Sequence, residues 1–318
     1  MDEWIIILGS VLLFILLSVF ITSYICYIRI FHANRRKKQK EKTKITAPVV
    51  DGFAPFRPQI GQWMREVEAM DGRELEIISF DCLKLRGTFY EYEKGAPIEI
   101  MFHGYRGNGK RDLSGGVVRA FKQGRSALIV DHRASGRSEG RVVTFGVNES
   151  RDCILWAELV AKEIDPDAKV ILTGISMGAA TVMIAAGSEE LPSNVVGVIA
   201  DCGYTSAKDI IKNTMRDMKL PADLLYPFAR LGGKLFGDFD VDKVSPIEFM
   251  KKCKVPVIFI HGDADGYVPF DMSKRNFEAC ASEKKKLVAI SGAAHGVAYP
   301  KDPEKYLSAL SEFFEGIL

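Results

Sequence analysis

Ser176 lies midway between Gly174 and Gly178 in "TGISMGAA", directly after the apolar run "KVILT". Two glycines so placed leave room for a sharp strand-to-helix turn that lifts a serine off the end of a sheet, and small Ala179 and Ala180 let the following helix pack close. A serine hydroxyl is a poor nucleophile until a base takes its proton, and that base needs an acceptor to fix its tautomer. The chain has five histidines. His32 follows a long apolar segment, and His103, His132 and His261 are read as strand-end or loop structure. His295, in "SGAAHGVAYP", follows the last apolar run and comes after a credible acid. Asp263 and Asp265 in "FIHGDADGYVP" both lie beyond a strand; the longer reach of Asp265 suits a residue facing His295, and an Asx-type turn is the alternative use of the other carboxylate. Acyl chemistry also needs backbone donors for a developing oxyanion. The amide of Met177 is one, and Tyr105 in "FHGYRGNG" offers the other.

These residues need a scaffold that brings strand ends together. Short apolar runs, "IEIMF", "SALIVD", "KVILTG", "VVGVIAD", "VPVIFIHG" and "KLVAIS", alternate with helical stretches such as "DLSGGVVRAFKQG" and "ESRDCILWAELVAKEI". That alternation predicts a mostly parallel sheet covered on both faces, with ligands at the carboxyl ends of its strands. "ELEIISF" and "KLRGTFYEY" predict an antiparallel strand pair turning at Asp81 and Cys82. Ile60, Trp63, Met64, Val67 and Met70 recur at helical spacing, as do Tyr306, Leu307, Leu310, Phe313, Phe314 and Ile317 in a closing helix. The 53 residues between "VVGVIAD" and "VPVIFIHG", longer than a usual crossover, predict a helical cap at about 207–253.

Ahead of this domain, Ile5 to Ile28 runs 24 residues without a charge. As a helix it reaches about 36 Å, enough to cross a hydrocarbon core of roughly 30 Å. The acidic start (Asp2, Glu3) and the length of the run favour an anchor over a cleaved signal. Arg29, Arg35, Arg36, Lys37, Lys38, Lys40, Lys42 and Lys44 follow, opposed only by Glu41. This basic flank predicts a single-pass membrane protein whose domain faces the cytoplasm. Residues 1–30 are then an anchor, 31–58 a basic linker interrupted by Pro48, Pro55 and Pro58, and 59–318 the folded domain. Because the basic run abuts the membrane and the remainder is near neutral, nucleic-acid binding is not expected. Six scattered cysteines without C-x-x-C spacing give no metal or disulfide framework.

Taken in chain order, "HGYRGN", "DHRASGRSEG", "GISMG", "HGDADGYVP" and "GAAH" resemble the α/β-hydrolase superfamily, and within it the serine aminopeptidase and monoacylglycerol-lipase type of sequence. The resemblance spans roughly residue 75 to the C-terminus. It implies the α/β-hydrolase fold, Ser176 as nucleophile, Asp265 as acid, His295 as base, and the amides of Tyr105 and Met177 as the oxyanion hole. It also implies that Asp131, Arg133, Gly136 and Ser138 form a structural loop near the site. The expected activity is cofactor- and metal-free hydrolysis of an acyl ester, with a small-molecule or lipid-like substrate. A serine aminopeptidase or thioesterase is the alternative, and a catalytically silent binding module a further one. An aminopeptidase would use cap carboxylates for the substrate ammonium, with Asp223, Asp238, Asp240 and Asp242 available. Haloalkane dehalogenases and epoxide hydrolases share the fold but place an aspartate where Ser176 stands.

Overall fold

The computed structural model describes residues 3–33 and 51–318. Eight strands form one sheet: β1 (Arg73–Ile78), β2 (Lys84–Tyr90), β3 (Ile98–Phe102), β4 (Ser126–Val130), β5 (Val170–Ile175), β6 (Val195–Asp201), β7 (Val257–Gly262) and β8 (Lys285–Ile290). Their spatial order is β1-β2-β4-β3-β5-β6-β7-β8. β2 pairs antiparallel with β1 and β4, and every other neighbouring pair is parallel. The β1–β2 turn passes through Cys82 at φ 63°.

The helices of ten residues or more are α1 (Glu3–Ile30), α2 (Arg57–Glu68), α3 (Gly109–Lys122), α4 (Glu149–Leu159), α5 (Met177–Ala186), α6 (Ala207–Asp217), α7 (Ala222–Gly237), α8 (Phe270–Ala279) and α9 (Pro303–Phe314). Alternation along the strands sorts side chains to two faces. Ile100, Leu128, Leu172, Val198 and Phe259 pack with Cys153 and Trp156 of α4 and Val182 of α5. On the other face, Ile171, Ile199 and Ile258 meet Trp63 of α2 and Leu310 and Phe313 of α9, while Met101 and Ile129 meet Leu113 and Val117 of α3. Burial on both faces is why these strands read as unbroken apolar runs rather than alternating ones.

Two features differ from the linear reading. Pro58 does not interrupt structure: it lies in the first turn of α2, where a missing N–H costs no helical bond, and Pro55 sits inside a 3-10 turn over Asp51–Phe56. The chain after α1 is not a free linker at its start. Phe31 is fully buried, edge-on to Phe145 and Phe239, and Ala33 N–H donates to the Arg141 carbonyl. The basic residues Arg35 to Lys44, and Pro48, fall outside the described residues.

Between β6 and β7, α6 and α7 supply the helices of the expected cap. α1 packs on α7 through Phe20, Tyr24 and Tyr27, whose rings meet Phe236 with centroids 5.1, 5.1 and 5.7 Å away. A cluster of buried residues then runs without a break from Tyr27 and Phe31 through Tyr226 and Phe239 of the cap to Met177 at the end of β5.

Candidate active site

Ser176 joins β5 to α5 with φ 58° and ψ −113°, a backbone conformation that L-residues seldom adopt. The flanking glycines permit it. A Cβ on Gly174 would stand 2.1 Å from the Gly178 carbonyl oxygen, and one on Gly178 2.0 Å from that of Phe102. The Ser176 N–H donates to the Asp201 carbonyl at 2.8 Å, tying the turn to the end of β6.

His295 and Asp265 reach this turn from the ends of β8 and β7. The two loops are held together by close backbone approach: a Cβ on Gly262 would lie 2.1 Å from the Ala293 carbonyl oxygen. Asp263, the other acid weighed for the site, accepts the Gly292 N–H at 2.7 Å and so fastens one loop to the other. Asp265 is the carboxylate that meets His295, with Oδ2 2.7 Å from Nδ1. His295 Nε2 is 2.9 Å from Ser176 Oγ. Ser176 and Asp265 are buried, His295 is half-buried, and the Tyr267 ring lies edge-on to the imidazole.

The Asp265 carboxylate accepts on both oxygens. Oδ1 takes the N–H groups of Tyr267 and Val268 at 2.9 and 2.8 Å, while Oδ2 faces His295 and, at 2.9 Å, His261 Nε2. Burial pushes this carboxyl up, but hydrogen bonds from His261 and His295 outweigh it and hold it well below the usual carboxylate range. It therefore remains an anion and keeps His295 in the tautomer whose Nδ1 is protonated and whose Nε2 can accept. His261, which the sequence presents as strand-end or loop structure, lies within this site. Its Nε2–H is shared between Asp265 and the Val268 carbonyl, and its Nδ1 lies 2.6 Å from Ser273 Oγ. The signal was its place four residues before Asp265 at a strand end.

Met177 opens α5, whose first amides have no carbonyl to bond within the helix and point toward the serine end. Its side chain counts as well as its N–H, since it is buried in the cluster that runs to the cap. Tyr105 lies on the loop after β3; the preceding Gly104 faces Ser176, an added Cβ falling 3.6 Å from that of the serine. The Tyr105 ring packs on Phe145 at 5.0 Å between centroids, and its hydroxyl donates to the Ile30 carbonyl of α1 at 2.5 Å. Burial pushes this phenol up to about 12, so it stays a donor. Arg106 donates to the Arg29 carbonyl at 2.7 Å.

The loop after β4 is fastened rather than reactive. Asp131 accepts the N–H groups of Gly109 and Arg137 at 2.8 and 3.0 Å, and Ser138 Oγ donates to the Asp131 carbonyl at 2.6 Å. Gly136, at φ 46°, leaves the space that the Asp131 carboxylate fills. Arg133 forks onto Asp152 at 2.7 and 2.8 Å and also meets Asp81. His103 and His132 bond each other's backbone at 3.1 Å beneath the site.

Cys202 Sγ, Asp265 and His295 bring possible metal-donor atoms within 4.8 Å of one another. Burial and the nearby carboxylates push the Cys202 thiol well above its usual value, and the Asp265 oxygens are already engaged, so this donor set suits the hydrogen-bonded chain better than an ion. The cysteines are all free, and only Cys82 is exposed.

Three of the four cap carboxylates are paired with cap cations. Asp240 bonds Arg230 in a fork at 2.8 Å and Lys234 at 2.9 Å; Asp242 meets Arg230 and the Tyr226 hydroxyl; Asp223 meets Lys212 and Arg216. Asp238 ends α7 in the left-handed conformation.

Solved structures share this architecture. The Pyrococcus furiosus esterase Pf2001 superposes with a TM-score of 0.65 at 21% identity, covering 79% of this chain and 95% of that one. The Pyrococcus horikoshii acylaminoacyl peptidase gives 0.58 at 19% identity, covering 81% of this chain and 43% of that one. Among sequence relatives, the uncharacterized protein YqkD of Bacillus subtilis (strain 168) is 29% identical over 195 residues, 61% of this chain and 63% of that protein. Protein bem46 of Schizosaccharomyces pombe is 23% identical over 242 residues, 75% of this chain and 74% of that protein. A family model, that of the prolyl oligopeptidase family, matches residues 143–318. That stretch is more than half of the chain and carries Ser176, Asp265 and His295 together on one α/β-hydrolase sheet: the protein is a hydrolase belonging to the prolyl oligopeptidase family.

Proposed function

We propose that the protein is a membrane-anchored serine hydrolase that cleaves carboxylic esters of lipid-like molecules through Ser176, His295 and Asp265. The observation that carries this reading is the unbroken relay from Ser176 Oγ to His295 at 2.9 Å and from His295 to Asp265 at 2.7 Å. Ser176 Oγ attacks the ester carbonyl carbon as His295 Nε2 takes its proton. The negative charge gathers on the former carbonyl oxygen, within reach of the amides of Met177 and Tyr105. Collapse breaks the bond to the alkoxy oxygen, which leaves as an alcohol with the proton from Nε2. Water then gives a proton to Nε2 and attacks the acyl carbon; collapse breaks the bond to Ser176 Oγ, which takes the proton back from Nε2 as the carboxylic acid leaves. Asp265 stays ionised throughout and steadies the imidazolium formed in each half.

Peptide cleavage is the second reading, favoured by the family and by the acylaminoacyl peptidase of the same fold. An aminopeptidase needs carboxylates open to a substrate ammonium, whereas Asp223, Asp240 and Asp242 each face cationic side chains of the cap. That pairing, and an apolar helix long enough to span a bilayer, favour an ester drawn from a lipid phase. The basic flank after α1 favours a cytoplasmic active site. Hydrolysis of fatty-acyl esters of graded chain length, set against aminoacyl amides, separates the two readings. Ester turnover at least tenfold above amide turnover is expected, falling on the order of 10⁵-fold in Ser176→Ala. Preference for the amides would move the protein to the peptidases.

A further inference from the structure

One side of α7 is apolar and only partly covered: Phe228 packs against the cap core, while Leu224 and Leu235 are exposed. At about 100° per residue, Leu224, Phe228, Leu231 and Leu235 fall in one stripe along this helix. Leu224 is 64% and Leu235 55% exposed, and the turn ahead of α7 adds Met218 at 65% and Leu220 at 41%. The polar stripe with Arg230 and Lys234 lies on another side, and Ala229, Gly232 and Gly233 face inward. Exposed apolar side chains gathered on this side and on the turn ahead of it mark a contact with something apolar.

Its place against α1 says what that partner is. Counting from Ile5, about 20 residues fill a hydrocarbon core of roughly 30 Å, so its far boundary falls near Tyr24. Phe236 touches Phe20, about one turn inside that boundary, and Tyr27, about one turn outside it. The Phe236 end of α7 therefore lies at the level where headgroups meet acyl chains. By helical spacing the apolar stripe of α7 adjoins the side carrying Gly232 and Phe236, which packs on α1. Exposed Lys219 stands between Met218 and Leu220, suited to lipid phosphates.

We propose that the Met218–Leu220 turn and the apolar stripe of α7 form a second membrane-binding surface, seated in the interface of the leaflet from which α1 emerges. This rests on reading α1 as membrane-spanning. Because Tyr105, beside the serine turn, bonds the last residue of α1, the surface also holds the active site against that leaflet, and the substrate is an amphiphilic ester presented there.

The test uses the full chain in vesicles of phosphatidylcholine with a minority of phosphatidylglycerol. Nitroxide labels are placed at Leu224→Cys, Leu235→Cys and Leu12→Cys, with Glu304→Cys as a surface control, in a Cys82→Ser background. Labels at 224 and 235 should collide with oxygen several-fold more, relative to a water-soluble nickel chelate, than the label at 304. Values equal to the control would overturn the proposal. A label at 12 that is as aqueous as the control would instead overturn the spanning reading on which it rests. In a second arm, Leu224→Asp with Leu235→Asp should lower hydrolysis of a vesicle-embedded monoacyl ester at least tenfold, and leave a water-soluble short-chain ester unchanged. Equal loss on both substrates would contradict membrane presentation. A wild type that cleaves neither ester would fail the hydrolase reading while leaving the label depths to decide the docking surface.

Discussion

His261 does not touch Ser176, yet it shares Asp265 Oδ2 with His295 and is itself held by Ser273 and Val268. Replacing it with Asn removes one of the bonds that aims the carboxylate. A roughly ten- to hundredfold loss in kcat with little change in KM is expected, with a thermal midpoint close to wild type. An equal fall in stability and activity would mark it as packing alone. His132 allows a pH prediction. Burial, with the charge of His103 beside it, lowers its pKa from 6.5 to about 3. The unfolded chain therefore binds a proton that the folded chain refuses between these values. Its contribution to stability is complete above about pH 6.5 and is lost as pH falls toward about 3. Melting midpoints measured down this range should fall less steeply in His132→Gln than in wild type. Ser176, His295 and the Asp263–Asp265 pair were legible because glycine spacing and strand-end position are local signals. The bonds that make Asp265 rather than Asp263 the partner of His295 are not local, since they depend on how two loops approach each other.

At the scale of elements, the strands were legible because burial on both faces leaves long apolar runs, and the pair β1–β2 because its turn and alternation are short-range. The union of α1 with α7 was not. Gly232 of α7 is a point of close helix approach to α1. A Cβ on Gly232 would lie 2.3 Å from the Ser23 carbonyl oxygen. No spacing rule links residues 23 and 232. Gly232→Val should force the two helices apart. Cysteines placed at Phe20 and Phe236 should crosslink readily on oxidation in membranes, and the added Gly232→Val should reduce the yield severalfold. An undiminished yield would mean that α1 and α7 are not packed in this way.

For the whole molecule, the apolar helix is more than a tether. Its last carbonyls receive Tyr105 and Arg106 from the loop beside the serine, and Phe31 completes a core shared with the cap and Met177. Helix α1, the cap and the serine turn thus form one packed body, although charge and proline content in the sequence divide the chain into an apolar segment, a linker and a domain. All of this bears on function only if Ser176 is the activated nucleophile. The most direct measurement is to treat the full-length protein with a fluorophosphonate and map the adduct by mass spectrometry. A single adduct on Ser176, absent after Ser176→Ala and strongly slowed in His295→Ala, is the predicted result. A wild-type protein that takes no label, or one labelled at another residue with Ser176 unmodified, would contradict it.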